Sequence, residues 1–520
     1  MKYRQFCLVA LASLLVLASG CSDPEDEGGD VDIAQDVGAD ADGDASSPDT
    51  ELPDASLDAD PADVDPADAD PPDAAGSECA AAPVPTLGDT PLVDQWIDDA
   101  SRCDQPSFSV LDDSSLGDVV DFGQEQSFGA SELTALAELE GIALPREFVY
   151  DTQARVFSYL TQDRGEIIEA SALLVYPDTE DPEFEPSAPL LFLHGTVGFS
   201  DACSPSTTLE AQLLASVLAS MGYTVVAPDF IGLKSLGEPT GFLHPYLVGQ
   251  PTAIASLDAL RALYKMSDEQ RGGHCHPHEY VSVGGSQGGH AALWVDRLAA
   301  SYAPEFEHLG SVATVPPADL TRQAEKALQE PISATGNTIA FFGASASWYG
   351  LEDRLDELFV EPLDTSIPEL FAEGCSFDEI TDDYEELEDV FTEEVLDSVD
   401  AGDGLPQPWQ CMLDDNGLVT TDIERHGTFL DSYATLFVLG EDDGLVDTPI
   451  ERDSFVTLCD DGMPLSYLEC ADGPHGATTA WALPEILDFV DDRQERVEIS
   501  SEDLCVVEEP VVCEGTPEEE

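Results

Sequence analysis

The chain has 520 residues, 42% of them hydrophobic, with 18 Lys and Arg against 108 Asp and Glu and with 12 cysteines. A net charge of −90 leaves no basic stripe to displace counterions from phosphates or to dock on anionic lipid. That excludes a nucleic-acid binder and an electrostatically held membrane protein. The length allows one large α/β domain with insertions or several smaller domains.

At the N-terminus, Lys2 and Arg4 precede an apolar stretch over 6–17, which is too short for a comfortable span and runs into small residues. This predicts a secretory signal peptide over 1–20. The ending Leu17-Ala18-Ser19-Gly20-Cys21 resembles the bacterial lipobox. That resemblance implies lipidation of Cys21 as the first mature residue, and Ser22 after it implies outer-membrane sorting in a Gram-negative cell. Two or more acyl chains would hold the protein stably, and membrane contact is expected only through this anchor. Residues 21–78 read as an acidic tether. Between Ser22 and Glu78 there are 21 Asp and Glu and no Lys or Arg, in repetitive Asp-Pro-Ala text. Such a segment repels itself, buries little and stays disordered, spanning roughly 40 Å or more. Asp40-Ala41-Asp42-Gly43-Asp44 begins like a calcium loop but lacks the later Glu in register, so no ion is expected there. Residues 79–145 form an N-terminal extension that carries no motif.

The acidity continues beyond the tether, where 87 acids face 16 Lys and Arg, and the whole chain has four lysines. This reads as a solvated, solubilising surface. Apart from Cys7 in the leader and Cys21, ten cysteines remain, an even number that reads as disulfides in an exported chain. Short loops suggest Cys79–Cys103, Cys375–Cys411, Cys459–Cys470 and Cys505–Cys513, which leaves Cys203–Cys275. No CxxC spacing occurs, and no zinc site is expected.

From about residue 146 strands and helices alternate. Strands are expected over 148–152, 155–161, 167–176, 190–193, 223–227, 280–283, 309–315, 434–439 and 465–470. Helices are expected over 209–221, 253–266, 289–302, 450–458 and 478–493. The early strands read as antiparallel, and the later short apolar runs read as buried and parallel. The fold class is therefore α/β, a mostly parallel sheet with helices on both faces. Its core would take 146–316 and 432–496. The interruption over 317–431 is acidic and mainly helical in pattern. It reads as a cap over the carboxyl ends of the strands, where open α/β sheets bind ligands. An acidic tail, 497–520, closes the chain.

Gly284-Gly285-Ser286-Gln287-Gly288-Gly289 lies between an expected strand and an expected helix. A GxSxG pattern gains meaning from that context, because the glycines permit a strained turn that lifts the Ser286 oxygen onto a helix N-terminus. A serine hydroxyl needs a base. His475, in Asp472-Gly473-Pro474-His475-Gly476, is the one histidine after the last strand. An orienting carboxylate should follow the preceding strand, and Asp443 fits, 32 residues before His475, with Asp442 and Asp447 as rivals. Donors for a developing oxyanion are expected at the backbone N–H groups of Thr196, in His194-Gly195-Thr196-Val197-Gly198, and of Gln287. His194 reads as a buried residue holding its loop. His244 either lines the site or braces a loop. His274-Cys275-His276-Pro277-His278 is poorly spaced for convergent metal ligation.

These stretches, with Asp201-Ala202-Cys203-Ser204-Pro205-Ser206, Ala227-Pro228-Asp229-Phe230-Ile231-Gly232-Leu233 and His244-Pro245-Tyr246-Leu247-Val248-Gly249, resemble the secretory lipase family of the α/β-hydrolase superfamily. The resemblance covers about 146–495, and its most specific part is the His244–Gly249 stretch. It implies an α/β-hydrolase fold with a cap and hydrolysis of a small-molecule acyl ester by Ser286, His475 and Asp443, without a cofactor. Lys234 stands where the family pattern leads one to expect Gly, and the cap is more acidic than expected. Alternatives are a serine peptidase on the same fold and a non-catalytic surface binding protein. The sequence does not indicate an oligomeric state.

Overall fold

The computed structural model describes residues 79, 81–88, 103, 110–140, 145–181, 183–376, 384 and 386–517. The expected leader, the expected lipidation site at Cys21 and the expected tether lie outside the described residues. One sheet of nine strands organises what is described: β1 (Val119–Phe128), β2 (Asp151–Asp163), β3 (Glu166–Asp178), β4 (Leu190–Leu193), β5 (Val225–Pro228), β6 (Glu279–Gly285), β7 (Glu307–Thr314), β8 (Thr435–Gly440) and β9 (Leu465–Cys470), in the spatial order β1-β2-β3-β5-β4-β6-β7-β8-β9. The β1–β2, β2–β3 and β3–β5 pairs are antiparallel, and every pair from β5–β4 onward is parallel.

Strand side chains alternate between two cores. Leu191, Leu193, Tyr280, Phe437 and Leu439 face one core with α3 (Gly249–Lys265), α4 (Gln287–Tyr302) and α10 (Thr448–Asp460). Leu190, Val281, Leu436 and Val438 face the other with α2 (Leu209–Ser220) and α12 (Leu483–Gln494). Burial on both faces is why these strands read as unbroken apolar runs, and each large side chain so buried contributes roughly 1.5–3 kcal/mol. The expected doubly covered, mostly parallel sheet is the sheet observed.

Local details depart from the text. The segments 148–152 and 155–161 do not make two strands; one strand, β2, runs through Asp151–Asp163 and pairs along its whole length with β3. The extension holds an unforeseen edge strand, β1, followed by α1 (Ala130–Glu140). The acidic tail returns to the sheet: Val511 donates to Glu469 O at 2.9 Å and accepts from Ala471 N at 2.7 Å, so it runs beside β9.

All five expected disulfide pairings are wrong. The pairs are Cys79–Cys275, Cys103–Cys411, Cys203–Cys375, Cys459–Cys505 and Cys470–Cys513. Sequence proximity misleads here because the sheet, not the chain, decides which cysteines meet. Both tail cysteines reach back, one to the end of α10 and one to the end of β9. Two bridges fasten the insertion between β7 and β8: Cys203, in the loop after β4, holds Cys375, and Cys103 holds Cys411. The sequence separations of 172 and 308 are long loops, whose closure removes the most freedom from the unfolded chain.

That insertion carries α5 (Leu320–Gln329), α6 (Ala334–Ser345), α7 (Leu363–Glu373), α8 (Glu393–Asp400) and α9 (Trp409–Asn416). It has its own core, built from Phe341, Phe342, Ile367, Phe371, Val395 and Trp409, and packed on Tyr246, Leu247 and Val248 of the main body. No helix among the described residues is long and apolar enough to cross a membrane.

Candidate active site

The carboxyl ends of β6, β8 and β9 place Ser286, Asp443 and His475. Ser286 sits between β6 and α4 with φ 56° and ψ −119°, a left-handed backbone that costs a non-glycine residue of order 1–3 kcal/mol. Two neighbours must lack side chains for the turn to close: a Cβ at Gly284 would stand 2.1 Å from Gly288 O, and one at Gly288 would stand 1.9 Å from Leu193 O. The Ser286 N–H donates to Thr314 O at the end of β7 at 2.9 Å, which locks the turn to the sheet. Backbone cannot step aside as a flexible side chain can. Gly288→Ala is therefore expected to lower stability by about 2–4 kcal/mol and to distort the turn. A thermal melt that leaves Tm unchanged would contradict this packing.

His475 opens α11 (His475–Trp481), just after Asp472, which has φ 53°. Its Nε2 lies 3.0 Å from Ser286 Oγ and its Nδ1 lies 2.7 Å from Asp443 Oδ2. A carboxylate only accepts, so Nδ1 carries the hydrogen, and Nε2 is left to accept from the Ser286 hydroxyl. Asp443 Oδ1 accepts from the N–H groups of Leu445 and Val446, both at 2.9 Å. The three side chains are 5% or less exposed. The rivals stand elsewhere. Asp442 is exposed, and Asp447 caps α10 through Ile450 N and pairs with Lys326.

The loop after β4 brings up Thr196, and α4 begins with Gln287. Neither N–H donates to a backbone acceptor among the described residues, as the first N–H of a helix must not. His194 is held in its loop: its Nδ1 donates to Gly195 O at 2.7 Å, it stacks on Phe230 at 4.1 Å, and burial pushes its pKa down to about 4. His244 braces rather than reacts. Its Nδ1 donates to Ile231 O at 2.9 Å, its Nε2 accepts from the Gln287 side-chain amide at 2.7 Å, and burial holds it neutral, with a pKa of about 3. In the floor below, the buried Asp229 carboxylate accepts from Ser206 N and from the Ser171 and Ser206 hydroxyls; burial still raises its pKa to about 6. The anomalous Lys234 is buried and satisfied, donating to Glu169 at 2.5 Å and to Glu238 O at 2.9 Å.

Ser286 lines a small pocket that is open to solvent. Tyr246, Leu247, Leu445 and Val446 line it from the main body, and Leu320, Ala324, Phe341 and Leu413 line it from the insertion. The walls are mostly apolar, as those of small-molecule sites are. The segment His274-Cys275-His276-Pro277-His278 is used structurally. His274 Nε2 donates to Pro177 O at 2.8 Å, His276 Nδ1 to Ser187 O at 3.0 Å, and Cys275 is in a disulfide. Sequence reasoning had no signal for Asn337, which reaches Tyr246 from α6. Tyr246 itself sits in the most specific stretch, but no role was read for it.

The sequence profile described as "Secretory lipase" matches residues 199–500. Among solved structures, the rice cell wall degrading esterase LipA from Xanthomonas oryzae superposes with a TM-score of 0.57 at 19% identity, over 73% of this chain and 98% of that one. Lipase A of Candida antarctica in its closed state gives a TM-score of 0.53 at 16% identity, over 77% of this chain and 85% of that one. No curated protein matches the sequence. At these identities the structural likeness speaks to the fold alone.

Proposed function

The chain belongs to the secretory lipase family and has the α/β-hydrolase fold, and from that premise we propose that it is an exported, lipid-anchored serine hydrolase of carboxylic esters. One observation carries the chemistry: the unbroken Ser286–His475–Asp443 hydrogen-bond chain beneath an apolar pocket. Ser286 Oγ attacks the acyl carbonyl carbon while His475 Nε2 takes its proton. Asp443 stays ionised, holding the imidazole tautomer and stabilising the imidazolium. The Thr196 and Gln287 N–H groups receive the developing oxyanion. His475 returns the proton to the departing alkoxide, leaving an acyl-enzyme. Water then repeats the steps, releasing the acid and restoring the serine hydroxyl.

Export is supported by the leader and by the disulfides, which form and persist in oxidising compartments. Cys21 would carry the lipid, and the tether would hold the enzyme clear of an outer membrane.

A fluorophosphonate reads the nucleophile directly. The protein should take up one equivalent, carried on the peptide containing Ser286, and should hydrolyse chromogenic short-acyl esters faster than aminoacyl anilides. Folded protein that is never labelled overturns the proposal. Preference for the anilides would favour a peptidase instead.

A further inference from the structure

Tyr246 is held at both ends by the insertion. Its hydroxyl accepts from the Asn337 side-chain amide at 2.9 Å, and its carbonyl accepts from Ser345 Oγ at 2.8 Å, both partners lying on α6. Its ring packs edge-on against Phe199 at 5.3 Å and is buried. Two disulfides, Cys203–Cys375 and Cys103–Cys411, tie the insertion down, and α6 is packed into the insertion's core through Phe341 and Phe342. From there the Tyr246 hydroxyl reaches Thr196 Oγ1 at 2.8 Å.

Either hydroxyl of the Tyr246–Thr196 pair can be the donor. An amide N–H can only donate, so Asn337 gives its hydrogen to Tyr246. The phenol has a single hydrogen; Tyr246 is buried and Thr196 only half-buried, so the order that leaves no buried hydrogen unpaired gives it to Thr196 Oγ1. The Thr196 hydroxyl then accepts with its lone pair and keeps its own hydrogen to give. The backbone N–H of the same residue is a donor of the proposed oxyanion hole.

We propose that Asn337 and Tyr246 form a relay that aims the Thr196 hydroxyl at the oxyanion, making that hydroxyl a third donor and the insertion's α6 a positioning element of the catalytic machinery. The inference rests on the serine-esterase reading and adds a residue and a direction to it. In such a relay Thr196 is the catalytic residue, because it touches the reacting oxygen. Tyr246 and Asn337 act only through it. A preorganised donor is worth more than a rotating one because it does not reorganise as charge develops.

Epistasis on a short-acyl ester, measured with the whole chain, tests this. Thr196→Val keeps the backbone N–H and should lower kcat about 10²-fold, with KM within about twofold. Thr196→Ser should stay within about threefold of wild type, as the conservative rescue. Tyr246→Phe should lower kcat about tenfold, and the Thr196→Val/Tyr246→Phe double variant should be no slower than Thr196→Val alone. Asn337→Ala, which leaves the buried ring in place, should repeat the Tyr246→Phe loss at unchanged Tm. Losses that multiply in the double variant overturn the relay, as does a Ser variant no better than Val or a Val variant with full kcat. In each of those cases an active wild type leaves the esterase reading standing. A wild type with no esterase activity and no fluorophosphonate labelling overturns both.

Discussion

Ser286→Ala should lower kcat on a short-acyl ester by about 10⁶-fold, or about 8 kcal/mol of transition-state stabilisation, with KM little changed. The size follows from what stays behind. His475, Asp443 and the helix N-terminus remain, and the pocket still binds the ester, but no atom forms the acyl-enzyme. Residual turnover would come from binding and the oxyanion donors alone, which in comparable triads leaves 10³–10⁴ over water. The fold should not suffer. The Ser286 N–H bond to Thr314 O is a backbone bond, and Ala meets the same positive φ that Ser does. A circular-dichroism melt within about 2 °C of wild type, together with steady-state kinetics, checks both halves. A variant that keeps a tenth of the wild-type rate would place the nucleophile elsewhere.

The sequence made some of this structure legible for physical reasons. β6, β8 and β9 are short strands, largely buried, and each ends at a turn. In a parallel sheet those turns all fall at one edge, which is why Ser286, Asp443 and His475, scattered over 190 positions of chain, could be nominated as one cluster. β1 gave no such signal. Its text, Val-Val-Asp-Phe-Gly-Gln-Glu-Gln-Ser-Phe, belongs to a mostly exposed edge strand, and an edge needs no continuous apolar pattern. The disulfides were illegible because each joins elements that meet only after the sheet has formed. Cys470 sits at the end of β9, and only the return of the tail along that strand brings Cys513 to it. The contact between Asn337 and Tyr246 was invisible for the same reason: nothing in the text of α6 says which loop of the main body it will cover.

Asp443→Asn should lower kcat about 10⁴-fold at neutral pH. Asp443 Oδ1 is pinned by the Leu445 and Val446 N–H groups, so an Asn carbonyl would take that place and leave its NH₂ where Oδ2 now faces His475 Nδ1. A donor would then meet a donor. The imidazole escapes by moving its hydrogen to Nε2, the nitrogen that must be bare to accept from Ser286. The substitution thus keeps shape and packing while inverting the tautomer, so the loss should fall on kcat and not on Tm. The rivals behave differently. Asp442→Asn, on an exposed residue, should leave kcat within about twofold. Asp447→Asn should cost about 1 kcal/mol or less of stability, through the Lys326 pair and the α10 cap, without touching the tautomer. Parallel kinetics and melts on the three variants separate the roles. If Asp442→Asn or Asp447→Asn lost more turnover than Asp443→Asn, the carboxylate assigned to His475 would be the wrong one.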